Sequence, residues 1–242
     1  MRFQDKVVLI TGAAQGLGLQ YALDFAKEGA KVAAVDLNKA KVEQVAADIN
    51  ASGGKCIGLA CDIADAKAVE QLVADIKAHF GSVDILINNA ALYKPSPIAE
   101  MSIADWDLQV NIDLNGTFYC TRFVLPDMIA KKYGKIVNIA SASAKHVIPT
   151  FGAYAAAKGG MITLTHQISE EVKYDGINVN AIYLGMTNTD KTRERIDSDS
   201  AVTIKLEEML QVDEVSKVVL FLASDDAKPI VGAAIDVFGL KY

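Results

Sequence analysis

The chain has 242 residues, 51% of them hydrophobic and 22% charged, with five prolines and a net charge of −6 at neutral pH. That balance suits an α/β domain with a buried core and excludes wholesale disorder, and an acidic chain with no basic stripe leaves nucleic-acid binding without electrostatic support. Three cysteines (Cys56, Cys61 and Cys120) with no CxxC or Cys/His cluster read as reduced thiols of a cytoplasmic protein; no apolar run nears the length of a membrane span, and MRFQDKVVLITG at the start enters a strand with no room for a signal peptide.

Short β-branched runs alternate with helix-length amphipathic stretches. Strands are predicted at 7–11, 32–36, 56–60, 84–87, 135–139, 177–182 and 234–237. Helices are predicted near 17–28, 39–51, 66–80, 103–113, 115–130, 153–174 and 213–223. The strand runs carry apolar residues on both faces, as parallel strands covered on both sides do. Repeated βα units of this kind predict a doubly wound parallel α/β sheet with helices on both faces. No linker, repeat or low-complexity tract divides residues 1–242, so one domain is expected. The polar segment 188–200, NTDKTRERIDSDS, reads either as a solvated surface loop or helix, or as a lid over a cleft; the lid reading spans 188–212.

The first strand runs into TGAAQGLG at 11–18, with glycines at 12, 16 and 18. Glycine allows a tight turn and close backbone approach to a ligand. A helix starting there offers unpaired N–H groups and a positive dipole end to a pyrophosphate. The spacing G-x-x-x-G-x-G departs from the common dinucleotide fingerprint G-x-G-x-x-G. The next strand ends at Asp36, where an acid accepts from ribose hydroxyls and repels a 2′-phosphate, favouring NAD over NADP. Asp36 also reads as a turn former or helix cap. No Arg or Lys stands at 37 or 38, although Lys39 and Lys41 are close by.

The segment FGAYAAAKGG at 151–160 sets Tyr154 and Lys158 four apart, on one helix face, with three alanines between them. Free tyrosine ionises near pH 10, and a neighbouring ammonium favours the phenolate. Such a pair suits acid/base work near neutral pH.

With TGAAQGLG, NNAA at 88–91 and the Tyr154/Lys158 pair together, the chain resembles the short-chain dehydrogenase/reductase family from residue 5 to about 239. The resemblance implies a single Rossmann-type domain, usually a homotetramer, that exchanges hydride between a nicotinamide and an alcohol or carbonyl. By position it makes Tyr154 the general acid/base. Lys158 then lowers the tyrosine pKa and holds the nicotinamide ribose. Ser141, thirteen before Tyr154, bonds the substrate oxygen, and Asn111 in QVNID carries the proton relay. The implied cofactor set is Gly12, Gln15, Gly16, Leu17 and Gly18 in the loop; Asp36; Asp62 and Ile63 at the adenine; Asn89 at the central strand; Tyr154 and Lys158; and Gly185, Thr187 and Thr189 at the nicotinamide. Read singly, Asn89, Asn111, Ser141 and Ser143 also suit turn or local helix roles.

Four features depart from the family pattern. Ala91 stands where NNAG is frequent, Leu184-Gly185 replaces a proline-glycine, the lid is charged, and the end reads VFGL at 237–240, with Phe238 and Leu240 adding apolar surface. Within the lid, Lys191, Arg193 and Arg195 are balanced by Asp190, Glu194, Asp197 and Asp199, so charge steering of substrate is not expected. The substrate side is assigned to Ser143, His146, Leu184 and Met186, with Ala91, Leu92, Tyr93, Ile148 and Phe151 as further wall residues. His146 reads either as a substrate contact or as a half-exposed loop histidine. This mixed, mainly apolar lining suits a small or medium secondary alcohol or ketone. His79, His146 and His166 have no metal-ligand spacing, and no metal is expected. The implied activity is an NAD-dependent alcohol dehydrogenase or ketoreductase. Alternatives are a 3-oxoacyl-thioester reductase, which usually accompanies NADP, and a catalytically silent nicotinamide-binding regulator, which usually lacks the tyrosine or lysine. Expected partners are a small-molecule substrate and further copies of the chain, with neither nucleic acid nor membrane.

Overall fold

A computed structural model describes residues 1–198 and 205–239. Seven strands form one parallel sheet: β1 (Val7–Thr11), β2 (Lys31–Asp36), β3 (Lys55–Ala60), β4 (Ile85–Asn88), β5 (Gly134–Ile139), β6 (Ile177–Leu184) and β7 (Ala234–Val237). Their order is β3-β2-β1-β4-β5-β6-β7. The helices are α1 (Gly16–Lys27), α2 (Lys39–Ala51), α3 (Ala66–Phe80), α4 (Ile103–Val110), α5 (Gly116–Lys131), α6 (Gly152–Val172), α7 (Asp190–Ser198) and α8 (Val212–Ala223). This all-parallel sheet with helices on both sides is the Rossmann-type fold expected from the sequence.

Strand alternation explains the two-sided core. Val8, Ile10, Val32, Ala34 and Ile85 face one layer, where Tyr21 and Phe25 of α1, Ile49 of α2 and Val219 of α8 pack. Val7, Leu9, Ala33, Val35 and Leu86 face the other, against Ile76 of α3, Val124 of α5 and Ile168 of α6. With period-two side chains and both faces covered, most strand positions are apolar, and buried polar ones such as Asn88 and Asn138 are hydrogen-bonded. Helix starts follow local chemistry: Asn38 accepts from the Lys41 N–H, Asp65 from those of Lys67 and Ala68, and Ser102 from that of Asp105.

Two features place the site. The strand order reverses between β1 and β4, so connections leave on opposite sides and a crevice opens at the strand carboxyl ends. A buried polar chain then fastens the centre. Asn88 Nδ2 on β4 donates to Asn138 Oδ1 on β5 (2.8 Å) and Thr121 Oγ1 on α5 (3.3 Å), and Asn138 Nδ2 donates to Thr165 Oγ1 on α6 (2.8 Å).

The structure differs from the sequence reading in one place, the expected gap between two helices. Residues 103–131 form one continuous rod, because Asn111–Asn115 widen into a π turn between α4 and α5. The charged segment begins as a helix, α7, and its far end returns to the sheet side through a parallel bridge between Thr187 and Leu210. Residues 199–204 of the expected lid, Asp199 among them, and Leu240 lie outside the described residues, as do the side chains of Arg195 and Asp197.

Candidate active site

The glycine loop is shaped by close packing. Gly12 has φ +67°, and a Cβ there would stand 2.9 Å from Ala90 Cα. A Cβ on Gly18 would stand 2.1 Å from the Gly12 carbonyl oxygen, so the first turn of α1 can close onto the loop only with glycine at 18. Asn89 pins the loop from β4, its Nδ2 donating to the Thr11 (2.9 Å) and Gly12 (3.2 Å) carbonyls. The start of α1 is left open, since Gln15 makes no side-chain cap bond. Its first N–H groups therefore remain for an anion.

A cleft of about 570 Å³ opens in front of this loop. Gly12, Gln15, Gly16, Leu17, Asp36, Asp62, Ile63 and Asn89 line one half of it, as do Cys61 and Leu37. Asp36 is held by two backbone donors, Ala14 N–H to Oδ2 (3.1 Å) and Asn38 N–H to Oδ1 (2.9 Å). It is thus both a turn former and a cleft acid. Burial pushes the Cys61 thiol up to about 11, and the charges of Asp62 and Asp65 add to this.

Ser141, Tyr154, Lys158, Leu184, Gly185, Met186, Thr187 and Thr189 line the other half, with Ala91, Leu92, Tyr93, Ile148 and Phe151. Tyr154 sits in a three-ring group: its centroid is 5.7 Å from that of Tyr93 and 6.0 Å from that of Phe151, both edge-on. The Lys158 ammonium lies 5.6 Å from the Tyr154 ring centroid. It donates to the Ile139 carbonyl (3.0 Å) and pairs with Asp113 Oδ1 (3.3 Å). The Tyr154 phenol is raised well above its ordinary value, first by desolvation and then by the Asp113 charge, while its hydrogen bond with Ser141 opposes the rise. Burial also raises the Asp113 carboxyl, with Lys158 pulling it back. The sequence reading had Lys158 lowering the phenol; Asp113, which it overlooked, offsets that cation.

Four residues assigned to the site from sequence stand off the cleft wall. Asn111 is exposed, and its Oδ1 accepts from Asn115 Nδ2 (2.7 Å); Asp113, two residues on, takes the place beside Lys158. Ser143 is buried behind Ser141 and donates to its Oγ from both N–H (3.2 Å) and Oγ (3.0 Å). His146 turns to the Phe238 ring (5.5 Å between centroids). Gly18 acts through packing. Thr189 lines the cleft and caps α7, its Oγ1 accepting from Thr192 N–H (3.2 Å). Gly185 donates to the Val237 carbonyl (2.8 Å), and a Cβ there would come 2.9 Å from Phe238 Cα. The Leu184-Gly185 and Phe238 departures therefore meet at one contact. Asp113 beside Lys158 and Leu37 on the cleft wall were missed by sequence reasoning, and Lys191, weighed there only for charge steering, also lines the cleft. The signal for Asp113 was an acid set between the apolar Ile112 and Leu114.

A family model described as short chain dehydrogenase matches residues 6–200. The chain belongs to the short-chain dehydrogenase/reductase family. Among its curated short-chain dehydrogenase relatives, it is 36% identical to meso-2,3-butanediol dehydrogenase of Serratia marcescens, over 99% of this chain and 95% of that one. It is 34% identical to a hydroxy(phenyl)methylsuccinyl-CoA dehydrogenase subunit, BbsD, of Thauera aromatica, over 99% and 97% of the two chains. It is also 34% identical to the 3-oxoacyl-acyl-carrier-protein reductase FabG of Thermotoga maritima, over 99% and 98%. As a short-chain dehydrogenase/reductase the chain is an oxidoreductase that uses a nicotinamide dinucleotide, NAD or NADP. The uncapped helix start, the glycine contacts and the strand-end acid fit such a group. Among the described residues no helix is long and apolar enough to cross a membrane.

Proposed function

We propose that the protein is an NAD-dependent alcohol dehydrogenase or ketoreductase acting on small or medium secondary alcohols and ketones. The observation that carries this reading is the convergence of Ser141, Tyr154 and Lys158 on the cleft that the glycine loop and Asp36 also line. Gly12, Gln15, Gly16 and Leu17 would hold the pyrophosphate, Asp36 the adenosine ribose, and Asp62 with Ile63 the adenine. Lys158 would hold the nicotinamide ribose, and Gly185, Thr187 and Thr189 the carboxamide. When bound, the nicotinamide ring supplies hydride to a carbonyl carbon or takes it from an alcohol. Tyr154 Oη gives a proton to the carbonyl oxygen in reduction and regains one from solvent; in oxidation its phenolate takes the hydroxyl proton. The Ser141 hydroxyl donates to the same oxygen and stabilises charge developing there. Leu92, Tyr93, Ile148, Phe151, Leu184 and Met186 shelter the reacting carbon.

NAD is preferred in this reading because the Asp36 carboxylate, anchored by two N–H groups, lines the cleft, where it would accept from ribose hydroxyls and repel a 2′-phosphate. A 3-oxoacyl-thioester reductase is the second reading, favoured by the likeness to the Thermotoga reductase and opposed by Asp36. The remaining parts of the reading are a single domain with a lid near 188–212, a cytoplasmic site of action and a homotetramer. Exposed Ile103, Leu108 and Phe118 on the α4–α5 rod support assembly. Paired assays with NAD(H) and NADP(H) against secondary alcohols, ketones and 3-oxoacyl thioesters test this. Turnover of ketones with NADH is expected; turnover confined to thioesters with NADPH would replace the first reading by the second.

A further inference from the structure

The Asp113 carboxylate is the one buried acid at the catalytic end of the cleft among the described residues, and it is doubly anchored. Its side chain is 0% exposed, and that of Lys158 is 1% exposed. The Leu92 N–H points between its two oxygens, at 3.3 Å from each. Its own backbone carbonyl accepts from Thr117 Oγ1 (3.1 Å), which fixes the π turn that aims it. Lys158 uses one donor on Ile139 O and a second on Asp113, leaving its third for the cleft. An asparagine at 113 would occupy nearly the same volume but leave the ammonium uncompensated.

The charged and titratable groups around the Tyr154 phenol come from every side of its pocket. Lys158 shares its helix, Asp113 comes from the π turn, Tyr93 from the segment after β4, and Ser141 from the segment after β5. Lys191 on α7 lines the cleft and acts on Asp113 from the open side. Asp190 beside it is exposed and pairs with Arg193. The half-buried His146 is turned to Phe238.

We propose that Asp113 is a positioning residue: by holding the Lys158 ammonium and cancelling its charge beside Tyr154, it makes this chain a carbonyl reductase at neutral pH and an alcohol dehydrogenase only in alkaline solution. Reduction needs the phenol protonated, and oxidation needs it ionised. A compensated ammonium favours the first state across the neutral range. The equilibrium of the overall reaction is untouched; only the pH range in which each direction is fast is moved. This inference rests on the acid/base reading of Tyr154.

The test does not depend on knowing the substrate. Protein labelled with ¹³C at the tyrosine ζ carbon is titrated between pH 7 and 11 with NADH present, whose reduced ring carries no positive charge. Tyr154 is assigned by its absence in Tyr154→Phe, and folding is checked by circular dichroism. Wild type is expected to keep the phenol protonated past pH 10. Asp113→Asn is expected to raise the ionisation constant at least tenfold, and Asp113→Glu to stay near wild type. Asp113→Ser serves as a second neutral variant. An unshifted midpoint in a folded neutral variant would overturn the proposal, as would a wild-type phenol ionising below pH 10; the latter test holds even if neither variant folds. With a turned-over ketone in hand, the alkaline limb of reduction moves with the same midpoint. Undiminished turnover in Tyr154→Phe would instead remove the acid/base reading itself, so the two failures are distinguishable.

Discussion

Asp113 Oδ1 lies 3.3 Å from Lys158 Nζ, and both side chains are buried. The contact joins the π turn of the α4–α5 rod to the first turns of α6. It holds the ammonium 5.6 Å from the Tyr154 ring centroid. Buried ion pairs contribute little net stability, but removing one partner leaves an uncompensated charge and costs about 3–5 kcal/mol. Lys158→Met should therefore lower stability by about 3 kcal/mol. The same change in an Asp113→Asn background should cost clearly less. A double-mutant cycle from denaturant midpoints checks this, and equal losses in both backgrounds would contradict the pairing.

Gly18→Ala should disrupt the loop. The added methyl meets the Gly12 carbonyl at 2.1 Å, a backbone atom that cannot rotate away. The expected loss is about 3 kcal/mol, at the upper end of overpacking costs. The melting temperature should fall by about 2–4 °C per kcal/mol for a chain of this length. Cofactor binding, measured by NADH fluorescence, should weaken in parallel; an unchanged melting temperature would show that the turn is looser than described.

Asp36→Ala should move cofactor choice. The variant removes an anion that lines the cleft and frees the two N–H groups, of Ala14 and Asn38, that now point at it. The ratio of kcat/KM for NAD over NADP should fall by at least about tenfold, or about 1.4 kcal/mol. A ratio that stays put would assign the selectivity elsewhere in the cleft.

Cys61 lines the cleft, yet its thiol should be inert near neutrality. Burial, with Asp62 and Asp65, raises it to about 11. The protonated form then prevails at pH 7, and thiolate grows only as pH climbs toward 11. Its thiolate fraction at pH 7 is roughly 300-fold below that of a free cysteine. Iodoacetamide labelling followed by mass spectrometry should find Cys61 slow at pH 7 and faster as pH rises. Rapid labelling at pH 7 would contradict the desolvated environment.

Much of this was written in local patterns. Gly12, Asp36 and the Tyr154–Lys158 pair each follow from a short spacing rule: a turn, a strand end, one helical turn. The strands were legible because apolar runs covered on both faces leave no other reading. The relay reading of Asn111 passed over Asp113 for a geometric reason, while its other reading, a local helix bond, is what the structure shows. On a helix, residues 111 and 113 lie about 200° apart, so a choice two residues out selects the opposite face. The π turn at Asn111–Asn115 adds a residue to the turn and shifts that phase again. Ser143 and His146 stand off the cleft wall because a short 3₁₀ turn at Ala142–Ala144 turns the chain behind Ser141, and loop directions have no periodicity to read. The Gly185–Phe238 contact pairs residues from β6 and the segment after β7, a long-range fit that no local pattern encodes.

The central claim is that the Tyr154 hydroxyl transfers the proton in a nicotinamide-dependent reaction within this cleft. It is tested most directly by comparing wild type with Tyr154→Phe for NADH-dependent ketone reduction and for NADH binding. The phenylalanine keeps the ring contacts with Tyr93 and Phe151. The predicted result is a loss in kcat of about 10²–10⁴-fold with NADH affinity within a few fold of wild type. A variant that reduces ketones as fast as wild type would contradict the account.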